Sequence, residues 1–230
     1  MGAVVLISAL IEMQLVLLIK PKYKWGGRRP GAGRKPGKRP PVAHRPRPFH
    51  ERGEPVHVTW RFVRGLPSMR RKKLAGVIGR AMRAATQARG QSTFRITHFS
   101  IQPNHLHLIV EAGSKPTLLK GLRALGIRIA KRLNGALERK GAVFAERYHA
   151  RALKTPLEVR NAIVYVLQNH KHHHPSRYLV DECSSAMWFD GFVAPLPAPV
   201  TPSPVSPSAT WLGTKGWRRR GLIDFDEGPS

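Results

Sequence analysis

Three short segments carry the residues best suited to chemistry. In IQPNHLHLIVEAG, residues 101–113, His105 and His107 stand two apart in a run that otherwise reads as a buried strand. Residues i and i+2 of a strand point to one face, so the two imidazoles should emerge side by side, with Leu106, Leu108 and Val110 turned to the core. Such a pair can hold one metal ion on the surface of a sheet; ordinary half-buried sheet histidines are the plain alternative. Glu111 shares that face, about 13 Å from His107 by strand rise. That is too far for joint ligation and leaves it as a candidate outer group. In TPLEVRNAIVYVLQNH, Tyr165 and Asn169 lie one helical turn apart beside an apolar stripe. By themselves they fit a packing tyrosine and a surface amide equally well. In ERYHARALK, Arg147, His149 and Arg151 alternate on one strand face, which suits either a nucleic acid backbone or plain solvation. His170, His172, His173 and His174 cluster at a helix C-terminus. There they favour the helix dipole and phosphate contact over a second metal site.

The elements that must position these residues follow from hydrophobic spacing. PVHVTWRFV alternates, with Val56, Val58, Trp60 and Phe62 on one face and His57, Thr59 and Arg61 on the other, and predicts a strand. Between Arg70 and Arg89, Leu74, Val77, Ile78, Ala81, Met82 and Ala85 recur at helical spacing and leave Arg70, Arg71, Arg80 and Arg83 outside. STFRITHFSI and HLHLIVEA predict a hairpin around the turn QPN. A second amphipathic helix carries Leu118, Leu122, Leu125, Ile129 and Leu133, and ERYHARALK gives a fourth strand. Thr155, Pro156 and Glu158 form a capping box with proline at the first helical position, opening a third helix. The order β-α-β-β-α-β-α predicts an α+β fold, a ferredoxin-like antiparallel sheet with helices packed on one face.

The bulk composition bounds the partners. The 230 residues include 40 Lys and Arg against 13 acids, a formal charge of +27, which points to a polyanion and first of all to nucleic acid. A single cysteine, Cys183, excludes a disulfide framework and a cysteine-based zinc site, and a cytoplasmic, nucleoid-associated setting is the expectation. No Walker-type phosphate loop occurs, so no nucleotide cofactor is expected. Residues 1–19 are apolar but interrupted by Glu12 and Gln14. The reading preferred here starts translation at Met13, which leaves too short a segment to span a membrane and argues against a membrane partner. Residues 1–46 are read as an N-terminal segment and disordered basic Gly/Pro/Arg arm, in which Arg28, Arg29, Arg34, Lys35, Lys38 and Arg39 are candidate DNA contacts. Residues 47–178 form the expected domain. Residues 179–230 form a Pro-rich linker and tail, with six prolines and no charge between 191 and 210. Its WLGTKGWRRRGLIDF segment could fold back on the domain or touch nucleic acid; the sequence leaves both open.

Taken together, PNHLHLIVE, RYHARAL and YVLQNH, in that order and preceded by RRPGAGRKPG, resemble the REP-associated tyrosine transposases. These are relatives of the single-tyrosine insertion-sequence transposases, within the HUH (histidine–hydrophobic–histidine) endonuclease superfamily. The resemblance runs from about Arg47 to His173. It implies that His105 and His107 are paired ligands of a divalent metal, with Asn169 as third ligand, where insertion-sequence members often carry Gln. It implies that Tyr165 is the nucleophile on single-stranded DNA next to a hairpin repeat, leaving a 5′-phosphotyrosine and a free 3′-hydroxyl. Two imidazoles and an amide would suit zinc by ligand softness, whereas the family points to Mg2+ or Mn2+. It allows a monomer or a homodimer. A non-catalytic binder of hairpin DNA or structured RNA is the competing expectation.

Overall fold

A computed structural model describes residues 51–86, 93–173 and 180–228. Its elements run β1 (Val56–Arg61), α1 (Lys72–Thr86), β2 (Phe94–Ile101), β3 (His105–Ala112), α2 (Lys115–Ala136), β4 (His149–Ala152) and α3 (Pro156–Gln168), followed by the short α4 (His170–His173). The strands form one sheet in the order β2-β3-β1-β4, with antiparallel neighbours throughout. This is the expected ferredoxin-like α+β arrangement: β1 and β3 are central, and α1 and α2 are the crossovers. The N-terminal arm, with Arg28, Arg29, Arg34, Lys35, Lys38 and Arg39, lies outside the described residues.

The first face of the sheet is covered as the spacing predicts. Val56, Val58, Trp60, Leu106, Leu108 and Val110 meet the stripes of α1 and α2 in one core, where Ile78, Leu122, Leu125 and Ile129 are fully buried. Each such side chain contributes roughly 1.5–3 kcal/mol when removed from water. Gly121 and Gly126 let α2 lie close on the sheet: a Cβ at either position would run into the rings of Phe94 and Trp60. Ser114 caps α2 by accepting from the Thr117 N–H. The capping box of α3 is complete, with Thr155 accepting from the Glu158 N–H and Glu158 accepting from the Thr155 N–H.

The second face departs from the expectation of helices on one side. α3 packs there: Val159, Ile163, Val166 and Leu167 join Ile109, Phe189, Phe192, Trp217 and Ile223 in a separate core. The reason is visible in β3. His105, His107, Ile109 and Glu111 share the face that α1 and α2 leave open, and Ile109 needs an apolar cover. Residues beyond 180, expected as an extended linker and tail, supply much of that cover. Residues 191–210 lack regular structure, yet the Ser206 N–H donates to Ile96 O at 2.8 Å and the Ala209 N–H to Glu111 Oε2 at 2.7 Å. Trp217 is buried and Arg160 donates to Glu227 through both terminal guanidinium nitrogens, so the tail folds back on the domain. Arg70, expected on the helix exterior, instead pairs with the buried Asp181.

Candidate active site

β1 and β3 set the site through their register, which places Thr59 opposite His107 and Arg61 opposite His105. His105 is half-buried at the start of β3, and His107 is buried. Their rings stand edge to face, 4.6 Å between centroids, as the i, i+2 spacing predicts. α3 crosses this face and presents Tyr165, whose ring lies 5.0 Å from that of His107. Three of the sequence candidates, His105, His107 and Tyr165, are therefore one cluster although Tyr165 is remote in the chain. Asn169 is the C-cap of α3, buried and one turn beyond Tyr165.

A fourth ring joins them. His57, on the polar side of β1, lies 5.3 Å from His107 and 5.8 Å from Tyr165 between centroids. His57 Nε2 and Thr59 Oγ1 each approach His107 Nδ1 to 3.2 Å. The sequence pattern puts both residues on the correct strand face but does not connect them to the site. The signal available was the alternation of β1 itself, which puts His57 and Thr59 on the face opposite the core. What it lacked was the strand pairing.

The electrostatics favour neutral imidazoles. Burial, reinforced by the charges of His149 and Arg151, lowers His57 to a pKa of about 4. Burial, then His57 and His105, lowers His107 to about 3. Both rings are thus unprotonated near neutral pH and carry a lone pair. His105 Nδ1 is 2.7 Å from Asn104 Oδ1, which can only accept, so Nδ1 bears a proton. His107 Nε2 is buried without a hydrogen-bond partner. A buried polar nitrogen left bare in this way is costly, and a cation beside the imidazole pair would satisfy it. The donor set fits a metal held in part by groups outside the protein. Among the described residues no three His, Cys, Asp or Glu side chains form a cage.

The remaining candidates divide. His149 and Arg151 pair with Thr59 and His57 across β1–β4, and both are exposed at the rim. Arg151 also binds Glu158 at 2.8 Å. Arg147 is exposed just before β4, outside the strand in which it was expected. Glu111 is not an outer group of the imidazole pair: its carboxylate accepts from the Ala209 and Thr210 N–H groups and from the Thr210 hydroxyl at 2.7 Å, anchoring the tail. His170 is buried, which removes it from the expected phosphate contact, whereas the side chains of His172 and His173 and all of His174 lie outside the described residues.

No protein-family model matches the chain, and no curated protein matches it. Among solved structures, it is similar to one described as the REP-associated tyrosine transposase bound to a REP hairpin. The TM-score is 0.46 at 18% identity, covering 58% of this chain and 75% of that one.

Proposed function

We propose that this protein is a metal-dependent endonuclease and strand transferase acting on single-stranded DNA beside hairpin repeats, with Tyr165 as its nucleophile. The observation that carries the reading is the packing of the Tyr165 ring against the neutral imidazole of His107, one nitrogen of which is buried with no partner. A phenol is a weak nucleophile near neutral pH, with an ordinary pKa of about 10, and it gains from a neighbouring cation or base. His105, His107 and Asn169 would hold a divalent ion, Mg2+ or Mn2+, with phosphate oxygens and water completing its shell. When bound, that ion supplies charge to offset the negative charge that develops on the scissile phosphate.

The protein's own residues do the rest. Tyr165 Oη forms the new bond to phosphorus, and the bond from phosphorus to the 3′ oxygen breaks. The phenol loses its proton and the departing 3′ oxygen gains one. The phosphodiester is conserved as a 5′-phosphotyrosine, so rejoining needs no nucleotide cofactor. His149, Arg151 and Arg61 at the rim favour a polyanionic strand over a neutral ligand. Preference for a hairpin is an extension from the sequence resemblance, and a cytoplasmic, nucleoid-associated role one from the single cysteine; the resemblance is compatible with either a monomer or a homodimer.

The test uses full-length protein with 5′- and 3′-labelled single strands carrying a hairpin, in Mg2+ or Mn2+ and in chelator. Metal-dependent cleavage, lost in Tyr165→Phe and in His107→Ala, is expected. Tight binding of the same strands without cleavage in either metal would replace the enzyme with a hairpin-binding protein.

A further inference from the structure

We infer that Thr59 and His57 are positioning residues for His107: together they hold the proton on Nδ1, so that Nε2 keeps its lone pair for a cation bound beside it. The inference rests on the metal-dependent reading above and assigns a role to two residues that reading does not use. Its basis is geometric. His107 has two ring nitrogens in different surroundings: Nδ1 lies 3.2 Å from both Thr59 Oγ1 and His57 Nε2, while Nε2 is buried with no partner. A neutral imidazole has one N–H. Placed on Nδ1, that hydrogen meets two acceptors; placed on Nε2, it meets none.

Strand register makes the arrangement rigid. Thr59 is the direct cross-strand neighbour of His107, and its β-branched side chain has few rotamers. His57 sits two residues back on the same face of β1, and its ring is stacked beside that of His107 at an interplanar angle of 30°. For His57 to accept through Nε2, its own proton must reside on Nδ1, so one tautomer choice passes from ring to ring. His105 follows the same pattern with a different partner, since Asn104 Oδ1 takes the Nδ1 proton. Both imidazoles of the pair would then present Nε2. A ligating histidine is usually oriented in this way by whatever its second nitrogen binds, and loss of such a partner typically weakens metal affinity 10–100-fold.

The tautomer can be read directly. Long-range 1H–15N spectra of metal-free, full-length protein distinguish Nδ1–H from Nε2–H, with His107→Gln used to assign the signal. The wild type is expected to show His107 as Nδ1–H, and Thr59→Val/His57→Phe to move it toward Nε2–H, while Thr59→Ser keeps the wild-type form. Mn2+ affinity, followed by the electron paramagnetic resonance of the free ion, should fall 10–100-fold in the double variant and return in Thr59→Ser with His57 intact. An Nε2–H signal in the wild type overturns the inference whatever the variants do. So does unchanged Mn2+ affinity in a double variant that retains the wild-type circular dichroism. If the wild type binds no Mn2+, the metal-dependent reading fails instead, and the tautomer alone decides whether Thr59 and His57 set the proton.

Discussion

Replacing Arg70 by methionine isolates one ion pair that the fold depends on. The Asp181 side chain is 1% exposed, and its two oxygens accept from Arg70 Nη1 at 2.9 Å and Nη2 at 2.7 Å. Arg70 Nη1 also donates to Ile101 O, and the Cys183 N–H donates to Asp181 Oδ1, so the pair ties the end of β2 to the segment after residue 180. In Arg70→Met the carboxylate stays buried and keeps only the Cys183 N–H. Breaking a buried pair from one side costs about 3–5 kcal/mol. Against a total stability of roughly 5–15 kcal/mol, that is a large share. At about 2–4 °C per kcal/mol for a domain of this size, Tm should fall by roughly 6–20 °C. Arg70→Met/Asp181→Leu removes both charges and should recover most of the loss, because apolar pairs of similar volume often replace buried ion pairs without penalty. Guanidinium and thermal denaturation at pH 7 measure both variants. A loss below about 1 kcal/mol in Arg70→Met, the range of exposed pairs, would refute the reasoning, as would a double variant less stable than the single one.

Two further outcomes follow from the buried histidines and from Glu111. His57, His98 and His107 have folded pKa values of about 4, 4 and 3, each lowered mainly by burial from 6.5, so the folded protein binds fewer protons than the unfolded chain below pH 6.5. Their contribution to stability is complete above pH 6.5 and is lost as pH falls toward 4, at a slope of up to about 1.4 kcal/mol per pH unit for each ring. Denaturation midpoints in chelator should therefore drop between pH 7 and pH 5, and equal midpoints would contradict the burial of these rings. Glu111→Gln removes the charge that receives the Thr210 and Ala209 groups, where a hydrogen bond to a charged acceptor is worth about 1.5–3 kcal/mol. Hydrogen exchange at residues 206–214 should accelerate while exchange in α1 stays unchanged; equal protection in both proteins would leave Glu111 without an anchoring role.

Much of this architecture is written in local patterns. The buried residues of α1 coincide with the apolar stripe read from spacing, and the capping box at Thr155 marks the start of α3. The imidazole pair was legible because period two is a property of any strand. What the sequence concealed depends on pairing between distant segments. His57 looks like one more polar position in an alternating strand until Thr59 is set opposite His107. The placement of α3 on the second face follows from Ile109, whose alternation with His107 and Glu111 gives no hint of what covers it. Arg70 reads as one cation among many because its partner Asp181 lies beyond the last helix. A proline-rich, uncharged stretch has the same composition whether it floats or straps a domain. Only the buried ring of Trp217 and the hydrogen bonds of residues 206–210 separate the two.

The most direct test of the proposed chemistry is the site of covalent attachment. Full-length protein, incubated with a hairpin-bearing single strand and Mn2+, would be digested with nuclease and protease, and its peptides mapped by mass spectrometry. A nucleotide phosphate on Tyr165, absent in chelator and in Tyr165→Phe, is the expected result. Cleaved DNA with unmodified Tyr165, or an adduct that persists in Tyr165→Phe, would contradict it.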